Sequence, residues 1–173
     1  MALLAASRRE TEAPPLPIWL SVLAPALAIG IDSFVPTYWS WFSIVDLPLL
    51  VVIYFAIAKR SPVVGTVSGS FLGILQDALT RQPLGVFGIT KSVVGYIAGL
   101  IGNRIDTDNH VARLMFTFCL SWIHSGLYWL LVSRFLAQPM SWNWIHELIR
   151  ASVEAVLGVL LFALFDMARP RFR

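Results

Sequence analysis

The fold the sequence predicts is an all-α bundle of about six membrane-crossing helices, and three observations predict it. Of 173 residues, 57% are hydrophobic and only 13% are charged, where soluble domains carry about a quarter charged. The apolar residues fall in long runs, each close to the roughly 20 residues that cross a bilayer. The connections between runs are short, so neighbouring helices form antiparallel hairpins in one bundle.

In chain order the spans read 17–35, 43–58, 62–79, 84–101, 111–135 and 148–168. This leaves a tail at 1–16, one membrane domain at 17–168 and a basic C-terminus at 169–173. The first span follows Arg8 and Arg9 and contains a small-residue "ALA" at 26–28, as a cleavable signal peptide would. Its apolar run continues past that point and is long enough to cross, so an uncleaved helix is expected.

Orientation follows from lysine and arginine placement. With the N-terminus inside, the inner side carries Arg8, Arg9, Lys59, Arg60, Arg104, Arg113, Arg169, Arg171 and Arg173. The outer side keeps Arg81, Arg134 and Arg150, and Lys91 lies within a span. Nine against three puts both termini in the cytoplasm. Trp39, Trp41, Trp129, Trp142 and Trp144 then fall near the outer interface and Trp19 near the inner one, the level that indoles prefer.

Composition also narrows the chemistry. The net charge of +3 is scattered over loop ends, so no basic face for nucleic acid is expected. Cys119 is the single cysteine, lies inside an apolar run and reads as a small packing residue. No CxxC, HExxH, GxxxxGK[ST] or metal-ligand spacing is present, and no cofactor or metal is expected. Ser68, Ser70 and His124 are the only serine–histidine pieces that tempt a catalytic reading, and helix packing explains the two serines.

The third span carries Gly65, Gly69 and Gly73 at intervals of four, then Asp77. Each interval turns a helix by about 400°, so the four lie on one slowly drifting stripe. The fourth span has a matching row, Gly85, Gly88, Ser92, Gly95, Gly99 and Gly102. Small-residue rows let helix backbones approach closely in lipid, so the third and fourth helices are expected to pack along them.

Charges inside a membrane are costly, by about 2.5–3.5 kcal/mol each on insertion scales. Asp32, Asp46 and Asp77 all fall in the outer part of the membrane, with Lys91 and Glu154 a little deeper. Asp77 and Lys91 differ in depth by roughly 7 Å at about 1.5 Å rise per residue, much of which a lysine stem covers. Asp77 is expected to pair with Lys91 or with a turn amide. Asp32 and Asp46 are equally open to exposure among headgroups. The outer half thus holds a polar cluster, either satisfied internally or lining an outward-facing cavity. Asp166, close to three terminal arginines, reads as a solvated inner charge.

The "LPLLVVIYFAIAKR" segment after Asp46, the "FLGILQDAL" that follows a glycine-rich helix start, and the "PLG" beyond it resemble the MreD family of bacterial rod-shape proteins. Length, six spans and segment order agree over nearly the whole chain. The most specific piece is Gly73-x-x-Gln76-Asp77 followed by Leu84-Gly85. Carried onto this sequence, the family's motif positions are Gly73, Gln76, Asp77 and Gly85, with Asp46 and Pro48 less securely placed.

The resemblance implies a non-enzymatic inner-membrane subunit that binds the bitopic MreC. It implies MreB, RodA and the elongation transpeptidase in the same complex, which directs lateral wall synthesis, and contact with membrane lipids. The family's architecture is similar to the S components of vitamin transporters, six helices with an outward ligand pocket. The alternative is therefore a solute- or lipid-binding subunit. A scaffold should leave an apolar groove open to partner helices, whereas a solute site should gather a few polar groups in a cavity. The residues offered for partner contact or polar structure are Asp77, Gln76, Lys91, Asp46 and Glu154. Those offered for helix packing are Gly65, Gly69, Gly73, Gly85, Gly88, Gly95 and Gly99.

Overall fold

A computed structural model of the chain describes residues 17–102 and 109–168. The tail at 1–16, the basic C-terminus and Arg104 lie outside the described residues. Among the described residues there is no strand, and six helices follow one another: α1 (Ile18–Tyr38), α2 (Leu47–Ala58), α3 (Pro62–Thr80), α4 (Val86–Gly102), α5 (His110–Leu130) and α6 (Trp144–Met167). A 3₁₀ turn at Ser40–Ile44 leads into α2, and a π turn at Leu131–Phe135 prolongs α5.

The local sequence explains most of the helix starts. Asp46 caps α2 by accepting the Leu49 N–H at 2.9 Å, with Pro48 in the first turn, where a missing N–H costs nothing. Ser61 and Pro62 do the same for α3. Asn109 caps α5, and Asn143 caps α6 through the N–H groups of Ile145 and His146. At the other end of α3, Arg81 adopts the left-handed conformation (φ 56°), a common way to stop a helix.

Five apolar stretches are long enough to cross a membrane, and the 17-residue α4 is shorter. The boundaries differ from expectation where caps and prolines decide them. α1 runs on through Pro36 to Tyr38, and α6 starts at its Asn143 cap, ahead of the expected residue 148.

α2 is the axis of the bundle. Every residue from Pro48 to Ala58 is buried, and α1, α3, α4, α5 and α6 all pack on it. A helix that is apolar on all sides belongs in such a place. α1 and α3 instead turn apolar side chains outward, with Val22, Phe34, Val63 and Phe71 more than 60% exposed. Such faces suit contact with lipid.

α3 and α4 make the closest pairing. A Cβ on Gly65 would lie 2.0 Å from the Gly95 carbonyl oxygen, and one on Gly69 would lie 2.3 Å from that of Lys91. One on Gly73 would meet the Phe87 carbonyl at 2.4 Å, and one on Gly99 would meet Pro62 at 2.5 Å. Gly88 rests on the Ile74 side chain, and Ser92 hydrogen-bonds Ser70 at 2.6 Å. Gly85 departs from the expected seam: a Cβ there would meet nothing within 4 Å, and its φ of +99° is what calls for glycine. Cys119 is exposed on α5 rather than packed between helices, because the buried face of that helix runs through Thr117, Leu120 and His124.

Candidate functional site

α1, α3 and α5 end, and α2, α4 and α6 begin, at one end of the bundle. The other five helices and the Asp46 cap of α2 line a cavity there of about 510 Å³. Its floor is a network of buried charged and amide side chains.

Asp77 is fully buried and serves the start of α4. Its Oδ2 accepts the N–H of Gly85 at 2.8 Å and of Gly88 at 3.3 Å, and its Oδ1 accepts the N–H of Phe87 at 3.1 Å. Helix N-termini leave such donors unmatched and carry a positive partial charge, so a carboxylate satisfies both. Gly85 shows why this piece of sequence is demanding. Its positive φ turns the chain and aims its N–H at Asp77. The partner of Asp77 is thus the turn and the first amides of α4, and not Lys91.

Lys91 is also fully buried. Its ammonium donates to Asp46 Oδ1 and to Gln76 Oε1, and lies 5.1 Å from the centre of the Phe87 ring. The pairing with Asp46 replaces the expected one with Asp77, because α2 turns Asp46 inward while Asp77 is occupied by amides. Gln76 passes the connection on: its Nε2 donates to Asp32 Oδ2 at 2.6 Å. Asp32 and Asp46, open to a headgroup-exposed reading from the sequence, are 8% and 2% exposed.

On the far side, the Asp46 N–H donates to Glu154 Oε1 at 3.2 Å, and Arg150 Nε donates to the same oxygen at 3.1 Å. His124 Nε2 stands 3.2 Å from Thr90 Oγ1 and 3.9 Å from Asp46 Oδ2. One connected set, Asp32–Gln76–Lys91–Asp46–Glu154–Arg150, therefore ties α1, α3, α4, α2 and α6 together, and His124 adds α5. Buried charges are costly unless they are paired or hydrogen-bonded; here Lys91–Asp46 and Gln76–Asp32 join different helices, and Arg150–Glu154 lies within α6.

The sequence reading gathers Asp77, Gln76, Lys91, Asp46 and Glu154 near one depth, and the structure brings them within one site. It does not single out Arg150, read as an outer rim charge, or Tyr128, which stacks on Phe87 at 4.9 Å. The i, i+4 spacing of Arg150 and Glu154 is the signal that points to the former. The serine–histidine pieces stand apart: Ser68 Oγ donates to the Val64 carbonyl of its own helix, Ser70 bonds Ser92, and His124 meets Thr90. At the opposite end of the bundle, Asp166 pairs with Arg113 at 2.6 Å and accepts from Tyr54 at 3.0 Å, and so is engaged rather than simply solvated.

A family model, rod shape-determining protein MreD, matches residues 14–168. The chain belongs to the MreD family. As a member of that family it is a membrane protein of rod-shape determination, and the family is a structural, shape-determining one. Membership also places it among the proteins of the rod-shape complex. No curated protein matches the chain, and no solved structure does; the likeness to transporter S components is therefore carried no further. The matched region contains the whole polar network and both glycine rows.

Proposed function

We propose that this MreD-family chain is a non-enzymatic scaffold of the inner membrane, with both termini cytoplasmic, that binds MreC and helps organise lateral wall synthesis. MreB, RodA and the elongation transpeptidase would act in the same assembly. The observation that carries this reading is a second, apolar groove of about 480 Å³ on the lipid-facing side, between α1 and α3. Val22, Pro25, Ala26 and Ile29 of α1 form one wall, and Phe71, Leu72 and Leu75 of α3 form the other. Small residues, Ser21 and Ala26 on α1 and Ser68 on α3, leave room for a close approach. Helices associate in lipid through such packing, and a bitopic partner has a single apolar helix to offer.

The charges of the bundle suit the same role. They join its helices to one another and so give the groove rigid walls. The lysine and arginine asymmetry supports an outward-facing polar cavity, with Lys59, Arg60 and Arg113 at the cytoplasmic end.

Ala26 is exposed in the groove, so Ala26→Trp fills it without entering the core. Co-purification of MreC from mild detergent should fall at least several-fold with this variant, while its yield and melting stay those of the wild type. Undiminished MreC recovery with a filled groove would remove α1 and α3 as the docking face.

A further inference from the structure

Among the described residues, four charged side chains line the polar cavity, Asp32, Asp46, Arg81 and Arg150, and the network leaves Asp32 and Arg150 partly unused. Asp32 receives only the Gln76 amide, on Oδ2, and has no cation within ion-pair distance among the described residues. Arg150 donates through Nε to Glu154, while its two Nη groups make no hydrogen bond to any described residue. Both side chains line the same cavity, from α1 and from α6. A buried carboxylate, 8% exposed, with no cation at ion-pair distance is an expensive arrangement. A guanidinium held on one edge still presents the fork of donors that matches a carboxylate or phosphate.

We propose that this cavity binds a compact zwitterion, its ammonium group at Asp32 and its carboxylate or phosphate at Arg150. The two signs decide the class. A simple anion would meet Asp32 and Asp46, and a simple cation would meet Arg150 and Arg81. A molecule carrying both charges satisfies each wall. The stacked rings of Phe87 and Tyr128 add an aromatic surface on the same cavity. Size agrees: about 510 Å³ lies within the range of small-molecule sites, roughly 300–1,000 Å³. Two sources carry this chemistry, a free amino-acid-like solute and the headgroup of a zwitterionic phospholipid such as phosphatidylethanolamine. The inference does not rest on the scaffold reading, since MreC docking is assigned to the other groove.

The test uses the full chain, purified in detergent and in nanodiscs. Phosphoethanolamine is the soluble probe and inorganic phosphate the control anion, both followed by calorimetry. In parallel, nanodiscs of phosphatidylethanolamine or of phosphatidylglycerol are compared by native mass spectrometry for retained lipid. The expected result is binding of phosphoethanolamine, or selective retention of phosphatidylethanolamine, weakened at least tenfold by Asp32→Asn. Soluble binding identifies a free solute as the source, and lipid retention alone identifies a headgroup. Thr37 is exposed at the cavity wall, so Thr37→Trp should block entry with the network intact; it decides the matter if Asp32→Asn yields no folded protein. The proposal is overturned if the folded wild type binds neither probe, if inorganic phosphate binds as well as phosphoethanolamine, or if folded Asp32→Asn and Thr37→Trp both bind like the wild type. Loss of MreC recovery in Ala26→Trp alone would bear on the scaffold reading and leave this one standing.

Discussion

The glycine seam between α3 and α4 and the charged network at the head of the bundle hold the same helices by opposite means. In the seam, absence does the work: no side chain stands between the Gly65 and Gly95 backbones, and dispersion acts at contact distance. In the network, a buried charge leans on a group from another helix, as Lys91 does on Asp46, or on the next turn of its own, as Arg150 does on Glu154. The seam tolerates no addition, and the network tolerates no deletion. Asp77 lies where the two meet, at the end of the α3 stripe and on the first amides of α4. Close approach and charge placement are therefore coupled. Only a seam this tight brings the α3 carboxylate within hydrogen-bond range of α4 amides.

The sharpest way to break the seam is bulk. Gly65→Leu should abolish recovery of folded protein in size-exclusion profiles. Gly65→Ala, whose Cβ would sit 2.0 Å from a backbone oxygen, should cost at least the roughly 3 kcal/mol at the upper end of overpacking. Wild-type melting of the alanine variant would show that the two backbones are not in contact.

The network should break through removal of one partner. Lys91→Met leaves Asp46 buried without its cation, a loss of about 3–5 kcal/mol for such pairs. Adding Asp46→Asn should recover part of that loss, because neither charge is then left alone. Combining Lys91→Met with Asp77→Asn should bring no recovery. Thermal melting of the two singles and both doubles checks the assignment, and recovery in the Asp77 double instead would restore the pairing expected from depth.

A smaller effect should mark the junction. Asp77→Asn keeps one acceptor for the α4 amides and loses the charge facing the helix start, which is worth roughly 1–2 kcal/mol by analogy with caps and helix-terminus charges. Hydrogen exchange at Gly85, Phe87 and Gly88 should quicken more than elsewhere. Uniform protection across α4 would make the carboxylate a bystander. The least effect should come from Gly126→Ala, where a Cβ meets nothing within 4 Å. That variant should melt at or slightly above the wild-type temperature, since alanine favours helix over glycine by up to about 1 kcal/mol. Destabilisation there would mean that α5 uses Gly126 for a contact beyond this chain.

Much of this architecture is legible in the sequence. The number of helices, the apolar runs and the facing glycine rows follow from local composition and from the 3.6-residue turn. The "GILQD…PLG" piece carries the family resemblance, and the family match covers residues 14–168. Asp77 stands out because a carboxylate ends a packing stripe, a pattern visible in one helix alone. Helix count and spacing are properties of consecutive residues, so local pattern is enough to read them.

Tertiary structure decided who meets whom. Lys91 is 45 positions from Asp46 and 15 from Gln76, and its choice depends on how α2 and α3 rotate about their axes. Depth counting sees height along the membrane normal but not rotation, so it could not separate Asp46 from Asp77 as the partner. The same holds for Gly85, whose place in a 3,4,3,4 row suggested packing while a turn with positive φ required it. It holds most of all for the cavity. Asp32 and Arg150 are 118 positions apart by their numbering and share a wall-to-wall space only because six helix ends converge. The physical reason is that burial and pairing depend on neighbours in three dimensions. A linear pattern ranks which residues need partners, and packing selects the partners.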